Sequence, residues 1–482
     1  MNRRSFLWNL GNASVGLALA CQSFERRVTA MSQSDRFDVR AHGFGELFPT
    51  TTSNTKEIYL ALPKGFQYNV IGKVNRLMSD GHATPPMHDG MSTFYLRNEL
   101  RIVRNHEVRN DMLPTPGRSI SKSKIYDQSA GGGTTTLLID EKTREVRRDL
   151  VSLSGTLVNC GGGATPWGSW ISCEETTIGQ TVRTDVKGVK TGGFDKPHGY
   201  CFEVPASANE IVEAIPLKAM GRFSHEAAAV DDRSGMVYMT EDNIVMSGFY
   251  RFLPKRNRRL TEGGRLQMLA IKGKPEYDTR VGQKVRASFQ TTWVTIDRPD
   301  PPEADVDENA VFKQGKAKGA ATFARLEGCC VDGNGRVYFA STNGGDNKGG
   351  QIWLYHPIDR DEGKLTLLFE SPDRNLLDMP DNVCVMPGSE LLFMCEDSDY
   401  VDAGPGTPEN FIRILTPSGR IADFAKNITP NFITSEFAGA TFSNDGKTLF
   451  VNLQAVGATF AIWGNWDNLT SVSLPSAHEA VN

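Results

Sequence analysis

Six times along this chain of 482 residues, an acidic or amide side chain is followed sixteen positions later by another. Glu226 is matched in this way by Asp242, Glu327 by Asn343, Asp381 by Asp397 and Glu436 by Asn452; two earlier segments match Asp89 with Asn105 and Asn159 with Glu175. In the last four units the interval holds an apolar run, a turn glycine (Gly235, Gly335, Gly388 or Gly446) and a second run, VYM, VYF, LLF or TLF. Strand, tight turn, strand is a β-hairpin. With side chains alternating along strands of about five to seven residues, positions sixteen apart flank the open end of the hairpin, opposite the turn.

Hairpins recurring along one chain predict four-stranded blades around an axis, and the expected architecture is an all-β, six-bladed β-propeller. The longest interval, between Glu226 and Glu327, contains the polar stretch PDPPEADVDENAVFKQGKAKG, which reads as a partly helical rim insertion in blade three at about residues 298–320. The segment EIYLALPKGFQYNVIG, ahead of the first hairpin, reads as a strand that closes the ring with the last blade. The expected division is an export signal over 1–20, a linker over 21–53 and one catalytic propeller domain over 54–482. The 47 glycines suit short strands and tight turns.

The chain opens MNRRSFLWNLGNASVGLALAC: two arginines, a short, weakly apolar run broken by Gly11 and Gly16, then Ala18-Leu19-Ala20. This is a twin-arginine export signal with an A-x-A cleavage site, too short and polar to span a bilayer. The destination expected is the periplasm or the exterior, through the twin-arginine translocon, with a membrane anchor only if Cys21 is lipidated. A net charge of -4 supplies no basic face for a phosphodiester backbone, so nucleic acid is excluded as a partner. The chain is expected to be a monomer. Cleavage before Cys21 leaves Cys160, Cys173, Cys201, Cys329, Cys330, Cys384 and Cys395 beyond that residue, an odd number, so in an oxidising compartment at least one is free or metal-bound.

The hairpin frame gathers Asp89, Asn105, Glu107, Asn159, Cys173, Glu174, Glu175, Glu226, Asp242, Glu327, Asn343, Asp381, Asp397, Glu436 and Asn452 at one end. So many carboxylates near an axis cannot stay ionised without cations, and hard oxygen donors in this number suit Ca²⁺. The thiol of Cys173, beside Glu174 and Glu175, suits a transition metal instead. His106 and His225 each precede a proposed ligand by one residue and should face the other way, as structural hydrogen-bonders. Trp167 and Trp170 read as core packing between blades.

The motifs N105-H-E107, NCGGGATPWGSWISCEE from Asn159, GRFSHE ending at Glu226, R325-L-E327, D381-N and SEFAGATFSNDGKTLFVNLQ from Ser435 resemble the PhoX-type alkaline phosphatases, in order from about residue 95 to 466. The resemblance implies a six-bladed propeller, twin-arginine export, and a site of Fe³⁺ and Ca²⁺ that removes phosphate from phosphomonoesters. Carried over by motif, Cys173 would ligate iron and Glu226 would bind iron or bridge. Asn105, Glu107, Glu174, Glu327, Asp381 and Glu436 would hold iron or calcium. Arg325 would clamp the phosphate, a role its planar guanidinium suits, and Lys348 in GGDNKGG would be a second phosphate contact. Two other readings stay open: a calcium-dependent lactonase or arylesterase of propeller fold, which leaves Cys173 unexplained, and a non-catalytic periplasmic binding propeller, which leaves the convergent acids without a purpose.

Overall fold

A computed structural model describes residues 45–109, 122–184, 188, 190–398 and 409–467; the export signal expected over 1–20 and Cys21 lie outside the described residues. The described chain is all-β. Six hairpins start from the strands His88–Leu96, Asn159–Ala164, His225–Val230, Leu326–Val331, Pro380–Val385 and Phe437–Phe442, each antiparallel to the strand that follows it. These six first strands touch one another in chain order, and the last touches the first, so they close a ring. Further antiparallel strands are added outward from each hairpin, as Gly132–Asp140 and Glu145–Thr156 are from the first.

Sheets that stack face to face around a ring bury both faces, which explains why the second strands lack polar alternation. Val237–Glu241, Val337–Ser341 and Leu392–Glu396 are buried from end to end. Phe249 and Phe339 stack at 4.3 Å between the third and fourth hairpins' sheets. Each such fully buried side chain contributes about 1.5–3 kcal/mol relative to exposure. The ring is therefore held by apolar packing between sheets, which frees its axis for polar groups.

The strand Gln67–Lys73 pairs antiparallel with Ala458–Trp463, from Ala458 opposite Lys73 to Trp463 opposite Gln67, with one register shift between Thr459 and Phe460. It thus forms the outer edge of the sheet begun by Phe437–Phe442, and ties the two ends of the fold together. The linker expected over 21–53 needs correction. Leu47–Thr51 is a strand paired with Ile58–Pro63, which pairs in turn with Ile421–Asn427. The backbone N–H and C=O groups along an outer strand need partners, and Leu60 and Leu62 anchor the pairing by packing with Phe424.

Within the stretch 298–320 lies a single-turn helix, Pro302–Asp305, followed by the α-helix Ala310–Lys316. Val311 and Phe312 on that helix bury against Met268 and Ile296. No helix among the described residues is long and apolar enough to cross a membrane.

Candidate metal centre

One local device is repeated in all six hairpins. The N–H just past the second strand bonds the C=O just before the first: Glu107 to Met87 (2.9 Å), Glu175 to Val158 (2.8 Å), Asp242 to Ser224 (3.1 Å), Thr342 to Arg325 (2.9 Å), Asp397 to Met379 (3.0 Å) and Gln454 to Glu436 (3.2 Å). Four of these acceptor residues, Met87, Val158, Arg325 and Met379, have positive φ (51°, 49°, 32° and 49°). Such backbone costs about 1–3 kcal/mol per residue and is kept where the surroundings over-determine it.

Just beyond, each first strand slips register with its partner, between His88 and Met91, Asn159 and Gly162, His225 and Ala228, Leu326 and Cys329, Pro380 and Val383, and Ala438 and Thr441. A bulge bends the strand and re-aims a side chain. In five hairpins the re-aimed residue is Asp89, Cys160, Glu226, Glu327 or Asp381. The equivalent residue of the sixth, Ala438, carries no donor.

These side chains converge with those that close the hairpins. Donor atoms lie within 4.8 Å of one another in each of four sets: Asp89, Glu107 and Cys160; Cys160, Glu175 and Glu226; Glu175, Asp242 and Glu327; Glu226, Glu327 and Asp381. Shared members make the sets one continuous patch of donors. Close approach of the first strands requires glycine beside the donors: a Cβ on Gly161 would fall 2.3 Å from the carbonyl oxygen and 2.6 Å from the Oε1 of Glu226. Below the acids, the first strands line an axial cavity of ≈ 230 Å³, walled by Gly161, Gly328, Asn382 and Gly439 among others.

The electrostatics call for cations. Burial, then the charge of Glu107, pushes Asp89 up to about 7. Burial, then Asp381, Glu175 and Asp89, holds Glu226 well above the usual carboxylate range; burial and neighbouring acids do the same to Glu175, Glu327, Asp381 and Glu436. Burial likewise raises the Cys160 thiol, whose Sγ lies 3.7 Å from Asp89 Oδ2. Both carboxylate oxygens of Glu226 and Oδ1 of Asp89 are buried with no hydrogen-bond partner among the described residues. Leaving buried carboxylate oxygens unpaired is costly, and a bound cation removes that cost. Oxygen donors with one thiol fit a metal centre, the oxygens suiting hard cations and the sulfur a transition metal.

Two guanidiniums border the acids. Arg325 is clamped on Asp242, with Nη2 2.7 Å from Oδ2 and Nε 3.1 Å from Oδ1, and its Nη2 lies 3.1 Å from Glu327 Oε1. Arg109 bonds Glu107 Oε1 through Nη2 at 2.6 Å and Nε at 3.0 Å.

Of the residues singled out from sequence, Glu107, Glu226, Glu327 and Asp381 meet in the donor patch. Glu436 joins its edge beside Asp397, whose charge adds to burial in raising its carboxyl. Three others are corrected. Cys173 points away from the acids into an apolar core with Ile171, Met220 and Phe223, and the thiol that faces the acids is Cys160. Glu174 is saturated by His198 Nδ1 (2.6 Å) and the N–H groups of Leu157, Gly199 and Tyr200; Glu175, beyond the strand's end, takes the place expected for it. Asn105 donates Nδ2 to Cys160 O and Gly161 O and accepts at Oδ1 from Trp170 and Ser172, so it braces the hairpin that carries Cys160.

Lys348 is exposed in the loop that follows Ser341, outside the donor sets. His106 sits between Pro86 O and Thr135 Oγ1, and His225 Nε2 meets Gly221 O at 3.0 Å, as structural hydrogen-bonders. Sequence reasoning missed Cys160 and Arg109. Cys160 is one residue out of the sixteen-residue frame, and Arg109 has only its place two residues after Glu107 as a signal.

Solved structures similar to this chain include a gluconolactonase from Xanthomonas campestris (12% identity, TM-score 0.40, covering 87% of this chain and 97% of that one). Others are a protein from Bacteroides thetaiotaomicron (8%, TM-score 0.43, 83% and 76%) and the PQQ domain of a pyranose dehydrogenase from Coprinopsis cinerea (11%, TM-score 0.30, 86% and 100%). Likeness this distant carries no argument about activity. Among curated proteins none matches. Residues 44–150 and 142–457, nearly the whole described chain, match the family model of alkaline phosphatase PhoX, and with that span the chain belongs to the PhoX alkaline phosphatase family.

Proposed function

We propose that this protein is a metal-dependent alkaline phosphatase that hydrolyses phosphomonoesters and releases inorganic phosphate. The observation that carries the reading is the continuous donor patch on the axis, in which the buried oxygens of Glu226 have no hydrogen-bond partner among the described residues and suit a cation. The closed ring of six hairpins supports a six-bladed propeller as its scaffold, one catalytic domain that starts by Leu47.

The donor types support iron and calcium together. Cys160, with Glu175 and Glu226, offers a thiolate for Fe³⁺, while the all-oxygen sets around Glu327 and Asp381 suit Ca²⁺. When bound, such cations supply Lewis-acid polarisation of the phosphoryl oxygens and neutralise charge developing on them. Arg325 is oriented for phosphate: Asp242 and Glu327 fix its Nε and Nη2, which leaves Nη1 to donate to an oxyanion. Arg109, held by Glu107 and with its side chain 60% exposed, offers a second cation at the mouth. Export through the twin-arginine translocon as a soluble monomer, anchored only if Cys21 is acylated, completes the proposal.

Replacing Arg325 tests the assignment. Arg325→Ala should keep its metal, lose turnover on a phosphomonoester by about a hundredfold or more, and become less sensitive to inhibition by inorganic phosphate. Normal turnover and normal phosphate inhibition would make Arg325 a structural ion-pair partner and favour the lactonase reading, in which no oxyanion of that charge is held.

A further inference from the structure

The thiol that drew attention in the sequence is left without a role in the metal centre, and its surroundings suggest another. Cys173 and Cys201 lie directly opposite each other on paired antiparallel strands, Ser169–Glu174 and Cys201–Pro205. Their sulfurs are 3.6 Å apart, and both side chains are fully buried. The N–H of Glu174 bonds the C=O of Tyr200 at 3.1 Å, so 174 and 200 are a hydrogen-bonded pair and 173 and 201 a non-hydrogen-bonded one. In that type of pair the Cα atoms are about 4.5 Å apart and the side chains lean together. That separation lies inside the range a disulfide spans, about 4.4–6.8 Å.

The other described cysteines lack this arrangement. Cys329 and Cys330 are neighbours on one strand and pack into different cores, Cys384 is paired with Phe393 and not with Cys395, and Cys160 belongs to the acids. We infer that Cys173 and Cys201 are a modification site, oxidised to a cross-strand disulfide by a disulfide-bearing oxidant.

In the reaction the Cys201 thiol loses its proton and its thiolate attacks one sulfur of the oxidant, releasing the first thiol and leaving a mixed disulfide on Cys201. The deprotonated Cys173 then attacks the Cys201 sulfur, closing the protein S–S bond and releasing the second thiol. The protein gives up two electrons and two protons, and the oxidant's disulfide is reduced to two thiols. Entry is through Cys201–Pro205, which is the outer strand of a three-stranded sheet, held on its far side by the isolated bridge between Phe202 and Pro216. Outer strands open locally at lower cost than the ring does. The bond would fasten the strand leading into Glu175 to its neighbour and close a loop of 28 residues, constraining the unfolded chain.

The test uses the full, metal-loaded chain, incubated with oxidised or reduced glutathione, then alkylated under denaturing conditions and mapped by peptide mass spectrometry. The expected result is a Cys173–Cys201 linked peptide in the oxidised sample alone, with a higher Tm than the reduced sample. Cys201→Ala, checked for normal circular dichroism, should abolish both the link and the Tm difference. Full alkylation of both cysteines, a stable glutathione adduct on either, linkage to a different cysteine, or a Tm difference that survives in Cys201→Ala would overturn the inference.

Discussion

Cys160 and Cys173 stand on paired strands of one hairpin, yet their thiols meet opposite surroundings: Cys160 lies among Asp89, Glu175 and Glu226, and Cys173 among apolar side chains. A thiolate is stable only where a cation compensates it, and burial among carboxylates raises the Cys160 thiol steeply in the absence of one. Cys160→Ser should therefore lose most of its iron, with the visible absorption of a ferric thiolate, while Cys173→Ala keeps both. Elemental analysis and absorption spectra of the two variants check this, and the opposite pattern would return Cys173 to the site. Glu226→Gln replaces a carboxylate whose oxygens have no hydrogen-bond partner among the described residues, so it should lower metal content at least tenfold and yet leave the metal-free protein more resistant to heat at pH 8, since a buried acid whose raised pKa costs stability at that pH is gone.

Between residue and ring stands the hairpin, and here the division between what sequence shows and what it hides is sharp. The hairpins are legible because the apolar runs and turn glycines are local signals. So are the acids, because each comes beside a strand. Register is not legible. The step from re-aimed donor to hairpin closure is sixteen residues for Glu226 and Asp242 and for Asp381 and Asp397, but longer from Asp89 to Glu107 and shorter from Cys160 to Glu175. A fixed spacing therefore lands on Asn105 and Asn159, both of which the structure uses as braces. The bulges that turn the donors inward depend on contact between neighbouring first strands, a long-range property that local patterns do not carry.

Gly161→Ala should open the approach of its strand to Glu226 and reduce metal content and activity together, since the added Cβ meets backbone that cannot yield. The buried clamp of His198 between Glu174 (2.6 Å) and Asp127 (3.6 Å) sets a pH dependence. Burial lowers the imidazole's pKa, but the two carboxylates outweigh it and bring it up to about 9. Its stabilisation is thus complete below the unfolded value of about 6.5 and is lost as pH rises through about 9. The Tm gap between wild type and His198→Gln should be wide at pH 6 and should narrow by pH 10.

At the scale of the whole molecule, the ring brings together acids that repel one another, and the fold's stability becomes a function of metal. In chelated protein burial and mutual repulsion raise the axial carboxyls, Asp89 to about 7 and Glu226, Glu327 and Asp381 well above the usual carboxylate range. A folded acid with a raised pKa binds more protons than the unfolded chain, so it costs stability as pH rises from the unfolded value of about 4 towards the folded one. Metal-free protein should accordingly melt at lower temperature at pH 8 than at pH 5, and restored metal should reverse the trend. Thermal scans with chelator and with added calcium and ferric iron check the sign.

If this acidic axis holds metals in order to cleave phosphomonoesters, activity must follow metal content. The most direct test is phosphate release from 4-nitrophenyl phosphate by purified protein of measured iron and calcium content, before and after chelation and with calcium returned. Turnover is expected in the metal-loaded protein, with its loss on chelation and its recovery with calcium. A protein with its full complement of iron and calcium that releases no phosphate, or one that keeps full activity when stripped of both, would contradict this expectation.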